Sequence, residues 1–324
     1  MSQDKFNGEA LPKYENHAQV FKATQAIAAK IAVQEQPSME EQMEMMFDPS
    51  KAQGFMQKQK ETLTQLVDGL EKVKKGVSNS DALSEDLRDA FTGMILAQQG
   101  TATANMNMMD LSLAAMTGAE PSEEQAMQTM IGQQMAQENT LKSQKNLLET
   151  LYGFQSGQTL ADVAVNGDMT IEDFERYNAM VQYSANMDEV MKDVMPALQT
   201  GDTSAVSDIV DIMEDVAQKV GAVKAKVSSS TAMTDEQKTA CLQITEKAEQ
   251  LYSVLSEGLT GIANDDETAA MGMMMSLPQV MQETLPLQAK YYDVLDTYYQ
   301  AKATSNDNTV ARKPSAKKPG TGNN

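Results

Sequence analysis

The stretch Asp162-Val-Ala-Val-Asn166-Gly167-Asp168-Met-Thr170-Ile-Glu-Asp173-Phe174 sets oxygen-bearing side chains at the spacing a calcium loop uses. Asp162 falls at the first loop position, Asn166 at the fifth, Gly167 at the sixth where the chain must turn, and Asp173 at the twelfth. The departures weigh against an ion. Ala164 offers no oxygen at the third position, Asp173 is shorter than the bidentate Glu, and apolar Val163 and Val165 sit inside the loop. No second loop exists to pair with it. The better reading is a turn at Asn166-Gly167-Asp168 followed by Thr170 as a helix cap, with no metal and no other cofactor expected.

Other chemistries lack their parts. His17 is the sole histidine and Cys241 the sole cysteine, far apart in sequence, so neither a Ser/His/Asp nor a Cys/His pair nor a zinc cluster can be assembled within the expected core. Gly-rich phosphate cradles are missing. Asp208, Asp211, Glu214 and Asp215 lie at helical spacing and could hold a hard cation, but among 46 acidic residues such a run reads as a solvated face. The 26 methionines include soft clusters at Met43, Met45 and Met46, at Met106, Met108 and Met109, and at Met271, Met273, Met274 and Met275. Thioethers bind Cu(I), but usually beside His or Cys. A flexible core filler, or an adaptable groove for partner helices, explains them better. An enzyme is therefore not expected.

A net charge of −20 repels nucleic-acid phosphates and anionic lipid, so the body should take protein partners, helical or basic ones, with a homo-oligomer as a further option. The last stretch, 304–324, reverses this trend. Arg312, Lys313, Lys317 and Lys318 stand there against Asp307, among Pro314, Pro319, Gly320 and Gly322. It reads as a disordered basic tail that docks on an acidic protein surface. The amino terminus is polar without an apolar centre, which predicts synthesis in the cytoplasm without a Sec-type signal, followed by residence in a virion or export by a dedicated machine. The Met-rich run near Met271 is interrupted by Ser276 and Pro278, so no membrane span is expected.

The elements that must position these groups read as helices throughout. Leu63, Leu66, Leu70, Val73 and Val77 form one stripe, and Ile209, Met213, Val216, Val220, Val223 and Val227 form another. Cys241, Ile244, Ala248, Leu251 and Leu255 make a third. Nothing alternates as a strand would. Turn formers at Asp48-Pro49, Ser78-Asn79-Ser80, Gly118 to Pro121, Gly201-Asp202, Ser228 to Ser230 and Asn264 to Asp266 separate the helices. Helix starts are predicted at Pro121-Ser122-Glu123-Glu124 and at Thr234-Asp235-Glu236.

Four collinear blocks repeat. Met39 to Phe47 matches Met187 to Met195, and Leu66, Leu70, Val73 and Val77 match Val216, Val220, Val223 and Val227. Ser80 to Asp86 matches Ser230 to Glu236, and Leu147 to Tyr152 matches Val294 to Tyr299. The fold class expected is all-α, with helical bundles built from an internally duplicated unit of four or five helices. Its parts would be a disordered segment 1–13, repeat one over 14–152, a linker or turn region over 153–173, repeat two over 174–303 and the tail 304–324. The function expected is that of a non-catalytic interaction or structural protein, such as a viral or phage assembly or internal virion component. The alternatives are an exported bacterial effector or secretion regulator, and a helical protein that binds Ca or Cu.

Overall fold

A computed structural model describes residues 5–6, 9–32, 48–119, 121–163, 165, 167–184, 204–264 and 266–311. Among them the fold is all-α, with eight helices and one short antiparallel pairing of Lys5–Phe6 (β1) with Glu9–Ala10 (β2). The helices are α1 (His17–Ala32), α2 (Pro49–Ser78), α3 (Glu85–Met116), α4 (Glu123–Tyr152), α5 (Ile171–Ser184), α6 (Ser204–Ser229), α7 (Asp235–Ala263) and α8 (Glu267–Ala311). The blocks Met39 to Phe47 and Met187 to Met195 lie outside the described residues, as do Asn166 and the basic side chains Arg312, Lys313, Lys317 and Lys318.

Local chemistry explains the helix ends. Asp48 caps α2 by accepting from the Ser50 amide at 2.9 Å, with Pro49 in the first turn where its missing N–H costs nothing. Ser122 and Gln125 close a reciprocal capping box at α4, and Thr234 and Gln237 do the same at α7. Gly153 ends α4 at φ 68°, a left-handed cap that a residue with a Cβ rarely adopts.

Helices α1–α4 and α5–α8 follow the same order, each packed on the next. Their buried faces also correspond. Leu70, Val73, Val77, Ser80, Leu83, Ala90, Phe91 and Met94 are all buried, and so is each residue 150 positions later, from Val220 to Ile244. A further parallel crosses a different spacing. The buried hydroxyl of Ser80 donates to the Tyr14 carbonyl just before α1, and that of Ser230 donates at 2.7 Å to the Met169 carbonyl just before α5.

The two sets of helices interlock rather than stand apart. Helix α1 packs on α8, the last helix of the other set, and α5 packs on α4. Asn16 and Gln19 each donate to Asp296 Oδ1 at 2.9 Å, while the Tyr183 hydroxyl donates to Glu149 at 2.8 Å. Ala18 of α1 sits among Phe174, Val227, Cys241 and Leu295 in the second core. Leu147 and Leu148, adjacent on α4, enter different cores.

At three expected boundaries the described residues carry structure as well. Residues 153–173 turn repeatedly, as a linker or turn region does, and also bring side chains into the core. Phe154, Leu160, Met169 and Ile171 are buried, and Leu160–Val163 forms a short 3-10 turn, because this segment fills the seam between α4, α5 and α6. The segment 1–13 is structured in part, since burial of Tyr14 anchors the chain behind the β1–β2 pairing. Finally, α8 continues past residue 303 to Ala311, with the Thr304 and Ser305 hydroxyls bonded back to the carbonyls of Gln300 and Ala301. It also passes through Pro278 and Pro286, each of which removes one helical hydrogen bond without ending the helix. Among the described residues no helix is long and apolar enough to cross a membrane.

Candidate functional site

The described oxygens of the candidate calcium loop do not converge. Asp162 turns back to the Thr159 amide at 2.7 Å and its hydroxyl at 3.0 Å, which hold its carboxyl below the usual range. Asp168 reaches across to the turn between α6 and α7, accepting from the Thr231 hydroxyl and from its amide at 3.0 Å, and is lowered for that reason. Asp173 accepts from the Thr170 amide at 2.9 Å, while its own amide donates to Thr170 Oγ1 at 3.1 Å. Thr170 is thus the cap of α5. Among the described residues no group of three His, Cys, Asp or Glu is placed to hold a metal. The acidic run of α6 is likewise divided, with Asp215 bonded to Lys219 at 2.5 Å and Glu214 accepting from Ser256 at 3.3 Å.

Polar chemistry concentrates instead at Glu175, a carboxylate only 4% exposed on α5. Its Oε1 lies 2.6 Å from His17 Nε2 of α1 and accepts from the Tyr152 hydroxyl of α4 at 2.9 Å. Its Oε2 accepts from the Tyr299 hydroxyl of α8 at 2.6 Å. Tyr152 and Tyr299 are the pair that the sequence repeat aligns, and here they grip opposite oxygens of one carboxylate. His17 stands edge-on to the Tyr299 ring, 4.7 Å between centroids. Burial, reinforced by the Glu175 charge, raises both phenols well above their ordinary range, so they stay protonated and donate. His17 opens α1. The first helix carries it into the core.

Beside this cluster, a cavity of about 370 Å³ opens between the two sets of helices. Its wall holds six side-chain amides, those of Gln25, Gln98, Gln144, Asn178, Gln182 and Gln288, and no carboxylate. Lys247 is its one ionic side chain and is already bonded to Glu283 at 2.6 Å. The Tyr291 hydroxyl and Gln25 Oε1, from two lining residues, are buried without a partner. None of Glu175, His17, Tyr152 and Tyr299 lines it, so the cluster does not face this space. Cys241 is buried in the second core, and that burial pushes its thiol up to about 12, out of reach of thiolate chemistry near neutrality.

The other feature is on the surface. Met127, Met130, Ile131 and Met135 of α4 are 50–63% exposed, as are Met271 and Met275 of α8 at 63% and 60%. Spacings of three and four put each group on one helix face. A groove between α3 and α4, lined by Leu96, Gly100, Gly132, Met135 and other uncharged residues, runs alongside. Sequence reading had located the methionines of α8 but read methionine mainly as core filler, and it missed Glu175. The available signal for Glu175 was the alignment of Tyr152 with Tyr299, two phenols that needed a shared acceptor. No family model, curated protein or solved structure matches the chain.

Proposed function

We propose that the chain is a non-catalytic helical interaction or structural protein, built from two copies of one unit of four or five helices, four of each lying among the described residues. The observation that carries this reading is the row of large apolar side chains left in solvent on α4 and repeated, in smaller form, on α8. Phe91, Phe174 and Leu295 are buried, while among the described residues nothing covers Met127 and Met130, each 63% exposed. Such faces mark contact sites. The polar cluster supports the same reading, because each Glu175 oxygen is occupied by partners from the fold and serves to tie four helices together. The duplication is supported by the shared helix order, the shared buried positions and the paired Ser80 and Ser230 tethers. An assembly component, such as an internal virion or scaffold protein, is the form of this role we favour, with the basic tail docking on an acidic protein surface.

The test is to replace methionine by its photo-reactive diazirine analogue and irradiate the protein in its native host. Cross-links to protein are expected at Met127, Met130, Met135, Met271 and Met275. Cross-linking there no greater than at buried Met169 and Met180 would contradict the proposal.

A further inference from the structure

The methionine faces share a second property that names their partner. From Asp89 to Leu141 the chain has six carboxylates, at Asp89, Asp110, Glu120, Glu123, Glu124 and Glu138, and no Lys or Arg. From Ala248 to Ala289 it again has six, at Glu249, Glu257, Asp265, Asp266, Glu267 and Glu283, and no Lys or Arg. These spans reach round the joins of α3 to α4 and of α7 to α8, the outer ends of the two hairpins, with Glu120, Asp265 and the Glu267 side chain outside what the structure describes. Lysines from neighbouring helices neutralise some of the carboxylates, since Lys60 binds Asp110 at 2.5 Å, Lys224 binds Glu249 and Lys247 binds Glu283. Glu123, Glu124 and Glu138, which bracket the exposed stripe of α4, are solvent-exposed, and no lysine among the described residues is paired with them.

We infer that the outer end of each hairpin is a docking site for a cationic amphipathic helix of a partner protein, one helix to each site. This rests on the interaction reading above and gives the partner its chemistry. An apolar stripe at helical spacing accepts the apolar face of another helix, and unbranched methionines adjust to different side chains there. Exposed flanking carboxylates, Glu123, Glu124 and Glu138 at α4 and Glu257 and Asp266 at α8, select Lys and Arg on the incoming helix and speed its encounter. The groove beside the stripe gives room, for a Cβ added at Gly100 or Gly132 would meet nothing within 4 Å. Other occupants fit less well. A second copy brings the same carboxylates against these, the chain's own segments 33–47 and 185–203 are themselves acidic, and its residues 312–324 contain no large apolar side chain to cover the stripe. The α4 site has four exposed large apolar residues and the α8 site two, so α4 binds more tightly.

The experiment is calorimetric titration of the full chain, with light scattering, using a Leu/Lys amphipathic peptide of roughly 18 residues, five helical turns. A Leu/Glu peptide and a Ser/Lys peptide of equal charge are the controls. Two Leu/Lys peptides should bind per chain, while neither control binds saturably. Replacing Met127, Met130 and Met135 by Gln should weaken the tighter site at least ~10-fold and leave the other intact, and M271Q with M275Q should do the converse. Equal binding of the Ser/Lys peptide, or binding unchanged in both variants, would overturn the proposal. A chain that ignores the peptide but dimerises until those methionines are replaced also overturns it, while sparing the interaction reading. The interaction reading falls only if photo-cross-linking at these faces fails as well.

Discussion

Glu175 shows how one buried charge can order a fold. A carboxylate 4% exposed has lost its water, and the loss is offset by hydrogen bonds from two phenols and an imidazole on three other helices. Glu175→Leu strands those three donors, and we expect it to lower stability by about 3–5 kcal/mol in urea unfolding followed by helix signal. Tyr152→Phe and Tyr299→Phe each remove one bond to the carboxylate and should cost about 1.5–3 kcal/mol. If all three variants unfold within ~0.5 kcal/mol of the parent, the ordinary scatter of surface substitutions, the cluster is not a tie. This residue was hard to read in sequence. Glu172-Asp173-Phe174-Glu175-Arg176 looks like a solvated helix entry, and only the incoming α1, α4 and α8 bury its fourth member. His17 was visible as the sole histidine, but its partner lies 158 residues away.

At the scale of elements the sequence was more informative, because helix stripes and caps are local. Leu70, Val73 and Val77 are buried as their spacing requires, and Ser122 and Thr234 begin helices where their side chains can accept from the third amide. In the segment 153–173 the turn formers mark the direction changes, but nothing local reveals that Phe154 and Leu160 reach a core. Helix α8 runs through Pro278 and Pro286 without ending at either. A sharper expectation concerns the two serine tethers. Ser80→Ala and Ser230→Ala each leave a carbonyl just before the first helix of a set without its donor, and should cost about 1–3 kcal/mol by denaturant midpoint. Ser230 should cost more, because its Oγ also accepts from the amides of Ala232 and Met233, both at 3.1 Å. A neutral result at either position would break the parallel between the sets.

For the whole molecule, the distinctive feature is that the first helix of each set, besides packing on its own set, packs on the last helix of the other, α1 on α8 and α5 on α4. Periodicity and repeats could suggest two bundles or one shared core, and could not choose between them, because the contacts that decide lie far apart in sequence. The structure has Ala18 in the second core, Leu147 and Leu148 in separate cores, and Glu175 bound from both sets of helices. Neither half then closes its own apolar surface. The direct test is to divide the chain at Gly157, in the exposed turn after Phe154, and compare the two fragments separately and mixed by circular dichroism and light scattering. The account predicts that each fragment alone loses much of its helix or aggregates, and that mixing restores a one-to-one complex with the helix content of the intact chain. Two fragments that each fold as stable monomers and ignore one another would contradict it.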